Sequence, residues 1–143
     1  MRFWDSSAIV PLIVEEQTSR LCRRLLRADQ TIIVWALTRT EVCSALCRQH
    51  REQRLTTEEL VRAVARLDTL AEHWTEIDAL AAVRERAERL LRGHPLRAAD
   101  SLQLAAALIA CRDRPKHLPL VAGDEILVRA AEREGFTVIV PVV

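Results

Sequence analysis

Hydrophobic positions change period several times along this chain. Arg2–Trp4 is a short apolar run leading into Asp5 and predicts a first strand. From Ser6 or Ser7 the spacing becomes helical, with Ala8, Ile9, Leu12 and Ile13 on one side. Pro11 limits the regularity of that helix or falls within its first turn. Thr18–Ala28 predicts a second helix from Leu21, Cys22, Leu25 and Leu26 at three- and four-residue spacing. Thr31–Trp35 is β-branched and apolar, as a buried strand would be, and a helix from Leu37 to Arg51 follows. Leu55-Thr56-Thr57-Glu58-Glu59 signals another helix start, with Leu60, Val64, Leu67 and Leu70 as its apolar stripe.

The second half repeats the alternation. Trp74–Ile77 predicts a third strand, and Ala79–Leu91 an amphipathic helix with Leu80, Val83, Ala87, Leu90 and Leu91 inward, ended by Gly93. Leu102–Cys111 is apolar on nearly every face and is expected to be the most buried helix. Leu118–Ala122 predicts a fourth strand, Glu125–Glu134 a short helix closed by Gly135, and Thr137–Val140 the last strand. Strands alternating with helices, without repeats or linkers, predict a single α/β domain over residues 1–143 with a mainly parallel central sheet flanked by helices. Ligands of such sheets bind beyond the carboxyl ends of the strands, which is where Asp5 and Asp124 fall.

Composition narrows the class. Half of the 143 residues are hydrophobic and 29% are charged, a globular balance. The net charge of +1 lacks the basic excess of a sequence-blind nucleic-acid binder, although an acidic centre would mask basic residues elsewhere. Lys116 is the only lysine, so the positive charge is arginine, which suits bidentate phosphate contacts but also follows from a chain rich in Ala, Arg and Leu. Cys22, Cys43, Cys47 and Cys111 lie in apolar helical stretches without a His or further Cys at zinc spacing, so buried free thiols and a reducing cytoplasm are expected. No basic leader precedes the first strand, and no apolar run nears the roughly 18 residues that span a bilayer. A soluble protein that stays in the cytoplasm is the expectation.

Four carboxylates stand out, each with a plain structural alternative. Asp5 fits a helix N-cap as well as a site. Glu41 sits mid-helix against the apolar stripe, where it needs a partner such as Arg39 or Arg48, or a cation. Asp100-Ser101-Leu102-Gln103 matches a capping box, yet Leu96-Arg97-Ala98-Ala99 already looks helical and would put Asp100 inside the first turn, on the face of Leu104 and Leu108. Asp124 follows Val121-Ala122-Gly123 as a turn or cap residue would. Taken together they favour a site, because three strand–helix junctions and one core helix can bring them to one place. Clustered carboxylates raise one another's pKa unless a cation compensates them. Hard oxygen ligands favour Mg²⁺ or Mn²⁺, an ion that can lower the pKa of a bound water and clamp a phosphate. Phosphodiester hydrolysis is the chemistry this set suits.

Phe3-Trp4-Asp5-Ser6-Ser7-Ala8, Thr40-Glu41-Val42 with Ala45-Leu46, Leu96–Ala105 and Gly123-Asp124-Glu125-Ile126-Leu127 resemble, in order and spacing, the signature of PIN domains, most closely the VapC-type toxins of bacterial toxin–antitoxin pairs. The resemblance covers the whole chain. It implies a PIN-like α/β fold and an RNA endonuclease using Mg²⁺ or Mn²⁺. Asp5 and Asp100 would be the main metal ligands, Glu41 a ligand directly or through water, and Asp124 would complete the site or hold a second ion. Ser7 matches a supporting polar position behind the ligands. A homodimer is implied too, as is a small VapB-like antitoxin whose C-terminal segment blocks the centre along a groove built largely by the hairpin from Leu37 to Leu70. Ala122 departs from the family pattern, in which Thr or Ser often precedes the last Asp by two residues. Arg39 and Arg97 adjoin site residues and are either phosphate contacts or ordinary surface arginines. His50, His73, His94 and His117 show no catalytic spacing.

Two other acidic-site classes fit less well. A haloacid-dehalogenase-like phosphatase needs a second Asp where Ser7 stands, and a response-regulator receiver needs a lysine at a late strand end, whereas Lys116 precedes its strand. The main alternative is a PIN-fold module that no longer cuts and binds RNA or a protein partner. No helix-turn-helix with a basic recognition helix is evident.

Overall fold

Each strand predicted from the sequence is present, most of them shorter than expected, and each pairs in parallel with its neighbours. The computed structural model describes residues 1–142, with β1 at Arg2–Trp4, β2 at Ile32–Trp35, β3 at Thr75–Ile77, β4 at Leu120–Val121 and β5 at Val138–Ile139. The order in the sheet is β3-β2-β1-β4-β5. The chain therefore builds outward from β1 to one side, then crosses back to lay β4 and β5 on the other. The crevice between β1 and β4 is the switch point at which open α/β sheets bind ligands.

Helices cover both faces, so β2 and β4 are apolar throughout, and β1 is apolar after Arg2, rather than alternating. Along β2, Ile32 and Val34 point into one core and Ile33 and Trp35 into the other, the period of two that a pleated strand imposes. Against the first core pack α1 (Ser6–Ile13), α2 (Ser19–Ala28), α3 (Thr38–Arg51) and α4 (Thr57–Ala71). Against the second pack α5 (Leu80–Gly93), α6 (Ala98–Ala110) and α7 (Glu125–Arg133). The edge strand β3 carries Thr75 and Glu76 in the open, the polar edge that discourages pairing with another sheet.

Local signals explain some helix limits: Asp5, Thr56 and Asp124 cap α1, α4 and α7 with their side chains. Thr56 and Glu59 form the capping box read from the sequence, each bonding the other's backbone N–H at 3.1 and 3.0 Å. Helix α6 is the most buried, with Ser101 and Gln103 to Leu108 all enclosed. It starts at Ala98, ahead of its apolar stretch, so Asp100 lies in its first turn, as the helical look of Leu96–Ala99 implied, and not at a cap. Glu41 was expected mid-helix; α3 begins only at Thr38, which puts Glu41 in a first turn as well. Leu80 and Leu91, expected inward, stand on the rim of the α5 stripe and are 53% and 40% exposed, while Val83, Ala87 and Leu90 fill the contact with α6. The four cysteines are free, as expected; Cys22 and Cys111 are buried, but Cys43 is half-buried and Cys47 exposed, because the buried stripe of α3 runs through Val42 and Leu46. No described helix is long and apolar enough to cross a membrane.

Candidate active site

Four helices begin at the carboxyl end of the sheet, and each brings one carboxylate. Asp5, after β1, is the N-cap of α1, where its Oδ2 accepts from Ser7 N at 3.1 Å. Asp124, after β4, is the N-cap of α7, where its Oδ1 accepts from Leu127 N at 2.9 Å. Glu41 and Asp100 come from the first turns of α3 and α6. All four line one cavity of about 450 Å³, together with Ser6, Ser7, Glu16, Ser44, Arg48 and Gln49. The positive ends of four helix dipoles offset part of the mutual repulsion of these acids.

Hydrogen bonds fix the carboxylates in place. Ser7 Oγ donates to Asp5 Oδ2 at 2.5 Å and accepts from Gly123 N at 2.8 Å, so it ties the β1 junction to the loop that carries Asp124. Glu41 is gripped from both sides: Ser6 Oγ donates to its Oε2 at 3.0 Å and Gln103 Nε2 to its Oε1 at 3.1 Å. Gln103 is buried and also donates to Thr38 Oγ1 at 3.0 Å, while its own Oε1 has no partner. A flipped amide would set that oxygen against the Glu41 carboxylate, so two acceptors on α3 fix the orientation. No arginine pairs with Glu41 among the described residues, which removes the salt-bridge alternative.

Enclosure and proximity act on the protons. Burial raises the Asp5 carboxyl, which is 3% exposed; its bonds from Ser7 oppose that shift and nearby Asp124 adds to it. Burial, with Asp5 and Asp100 close by, raises Glu41 to about 7 against the pull of Ser6 and Gln103. Asp100 is raised to about 6 by burial and then by Asp124 and Asp5, with Arg97 opposing. These groups are under electrostatic tension that a divalent cation would relieve. The donors are all oxygen, as Mg²⁺ and Mn²⁺ prefer. No three His, Cys, Asp or Glu side chains among the described residues stand as a preformed cage. Mg²⁺ does not need one, since it is bound through one or two carboxylates with water and phosphate completing its shell. The residues present fit such an ion.

A second and larger cavity, about 700 Å³, lies away from the carboxylates, between α1, α2 and α4. It is lined by apolar Leu12, Ile13, Leu26, Ile32 and Leu70 and edged by Arg23, Arg27 and Arg66. Size alone would choose it, but no carboxylate lines it and its polar side chains, Gln30, Thr69 and His73 besides the arginines, form no acidic cluster, so the smaller cavity is the candidate site.

Sequence reasoning missed Ser6, Gln103, Thr38 and Arg48. Gln103 was read as the far end of a capping box on Asp100, yet it faces inward to α3. Of the two arginines weighed as phosphate contacts, Arg39 pairs with Asp68 of α4, and neither it nor Arg97 lines the acidic cavity. Arg48 does, seven residues after Glu41 on the same face of α3; that spacing was the available signal. Ala122 is fully buried in the core of α5, α6 and α7.

Residues 2–133 match the family model of the PIN domain. Over 106 residues, 74% of each chain, this chain is 32% identical to Ribonuclease VapC45 and Ribonuclease VapC49 of two Mycobacterium tuberculosis strains. Among solved structures it is similar to FitAcB of Neisseria gonorrhoeae, at a TM-score of 0.67 and 18% identity over 99% of this chain and 98% of that one. A toxin–antitoxin complex from Klebsiella pneumoniae matches at 0.59 and 19%, over the same shares. With the parallel sheet, its switch-point cavity and these likenesses together, the chain belongs to the PIN-domain family and is of the VapC type.

Proposed function

We propose that this chain is a Mg²⁺- or Mn²⁺-dependent endoribonuclease, the toxin of a toxin–antitoxin pair, hydrolysing RNA phosphodiester bonds at Asp5, Glu41, Asp100 and Asp124. The observation that carries this reading is the meeting of those four carboxylates in one switch-point cavity, where burial and their neighbours raise three of them. The relatives named ribonucleases support the substrate class.

Asp5 and Asp100 would hold the ion, Glu41 would bind it directly or through water, and Asp124 would complete the set. When bound, a divalent ion supplies charge for the phosphate oxygens and a more acidic water. The chain's own work is orientation. Ser6 and Gln103 keep Glu41 turned inward from α3, and Ser7 keeps the Asp5 and Asp124 junctions in register. Arg97, which opposes the rise of Asp100, steadies its charge.

A small antitoxin is the partner in this reading, in keeping with the toxin–antitoxin complex among the structural neighbours. The apolar groove of α1, α2 and α4, with its arginine rim, suits an amphipathic acidic segment. Both helices of the hairpin expected to build much of that groove take part in this reading, α4 along the apolar groove and α3 along the acidic cavity that the segment would block. A homodimer acting in the cytoplasm completes the proposal.

Calorimetry with Mn²⁺ and Mg²⁺ tests the centre. Binding by the wild type that is lost or weakened at least ten-fold in Asp100→Asn, with metal-dependent cleavage lost alongside, would support it. If the wild type binds neither ion at millimolar concentration, the carboxylates serve the fold alone, and a PIN-fold module that binds without cutting takes its place.

A further inference from the structure

We infer that Arg48 is the substrate-anchoring residue of this site, gripping an RNA phosphate next to the one that is cut. The inference rests on the ribonuclease reading and adds to it how a polyanion is held in an acidic cavity. Five carboxylates line the cavity, those of Asp5, Glu16, Glu41, Asp100 and Asp124, and Arg48 is the one cationic side chain in its lining among the described residues. An RNA strand entering there meets repulsion from every side but one.

Two of the cavity's carboxylates already accept side-chain hydrogen bonds. Glu41 is held by Ser6 and Gln103, and Glu16 accepts from Gln49 Nε2 at 3.0 Å. Arg48 itself is exposed and makes no ion pair or side-chain hydrogen bond among the described residues. Its guanidinium is therefore free for an external acceptor.

Position fits the task. Seven residues of α3 separate Arg48 from Glu41, about 10 Å along the axis. Helical side chains lean toward the N-terminus, so Arg48 leans back over Ser44 and toward the acids. Arg48 thus shares the cavity with the carboxylates but stands about two turns along α3 from Glu41, the offset that suits a phosphate flanking the scissile one. A planar guanidinium donates two parallel bonds to phosphate oxygens. The bland role, complementing the C-terminal dipole of α3, is shared with His50 and Arg51, and neither of those lines the cavity.

The test is binding of a labelled, mixed-sequence single-stranded RNA 12-mer in EDTA, in an Asp100→Asn background so that binding is read without cleavage. Fluorescence anisotropy across a salt series gives affinity and slope. Arg48→Gln is expected to weaken binding at least five-fold and to reduce the salt slope by about 0.7, the value for one contact on a single strand. Arg48→Lys keeps the slope and recovers part of the affinity. Arg133→Gln, an equal charge loss on α7, changes binding less than two-fold. Mn²⁺ affinity, measured with Asp100 intact, stays within two-fold in Arg48→Gln; a large tightening would mean that Arg48 neutralises the acids, and would overturn the inference. Unchanged RNA affinity in Arg48→Gln, an equal loss in Arg133→Gln, or no binding by the Asp100→Asn parent would overturn it as well. Mn²⁺-dependent cleavage of total RNA by the native chain, read separately, tells this failure from a failure of the ribonuclease reading.

Discussion

Glu41→Gln is expected to make the metal-free protein more stable at pH 8 while abolishing cleavage. In the folded chain, burial first and the nearness of Asp5 and Asp100 next raise Glu41 from its ordinary 4.5 to about 7. A carboxyl whose folded pKa lies above its unfolded value binds its proton more tightly when folded. Its contribution is complete below about pH 4.5 and is lost as the pH climbs through about 7. At pH 8 the ionised group opposes folding. The whole shift corresponds to about 3 kcal/mol. The side chain is only partly enclosed and water screens it, which leaves about 1–2 kcal/mol.

Glutamine keeps the packing and the bonds. Its carbonyl still accepts from Gln103 Nε2, and its amide faces Ser6 Oγ, a hydroxyl that can turn to accept. The variant should therefore melt about 3–6 °C above the wild type at pH 8 in EDTA, and within about 1 °C of it at pH 4.5. Paired calorimetric melts at the two pH values measure this. Mg²⁺ should raise the wild-type melting temperature more at pH 8 than at pH 5.5, because protons compete for the same oxygens. Melting at or below the wild type at pH 8 would mean that a cation of the protein already stabilises Glu41, and the account of a strained acidic centre would be wrong.

Three further substitutions test how the centre is held. Gln103→Leu removes the donor shared by Thr38 and Glu41; cleavage should fall about 10- to 100-fold with the fold retained, as single-turnover rates would show. Ser7→Ala frees Asp5 from its hydroxyl donor and unties it from Gly123, so Mn²⁺ affinity should drop roughly ten-fold at near-constant stability, read by calorimetry. Thr56→Ala breaks the capping box of α4 far from the acids; stability should fall by about 1 kcal/mol in a urea titration while cleavage is unchanged.

Elements set by local periodicity were legible in the sequence. The parallel α/β class, the Thr56 box and the burial of α6 all follow from spacing within a dozen residues. Asp5 and Asp124 presented a choice between cap and site, and the cap leaves the site reading open. A cap occupies one carboxylate oxygen: the Ser7 bonds of Asp5 both go to Oδ2, and Asp124 uses Oδ1, so each residue caps its helix with one oxygen, and both residues line the cavity. The competing interpretations were never exclusive.

What stayed hidden depends on contacts far apart in the chain. Ser6 reaches Glu41 across 35 residues and Gln103 reaches it across 62, so neither is marked by any local pattern. Their residue types are unremarkable beside an acid, whereas a carboxylate on an apolar face stands out because an unpaired charge there is costly. Arg39 and Arg48 show the same divide on a single helix. Nine residues apart, they lie on opposite sides of α3 at 100° per residue; Arg39 faces Asp68 of α4 and Arg48 faces the acids. Adjacency to Glu41 in sequence pointed to the first and helical phase points to the second, because on a helix the neighbours in space lie three, four and seven residues away.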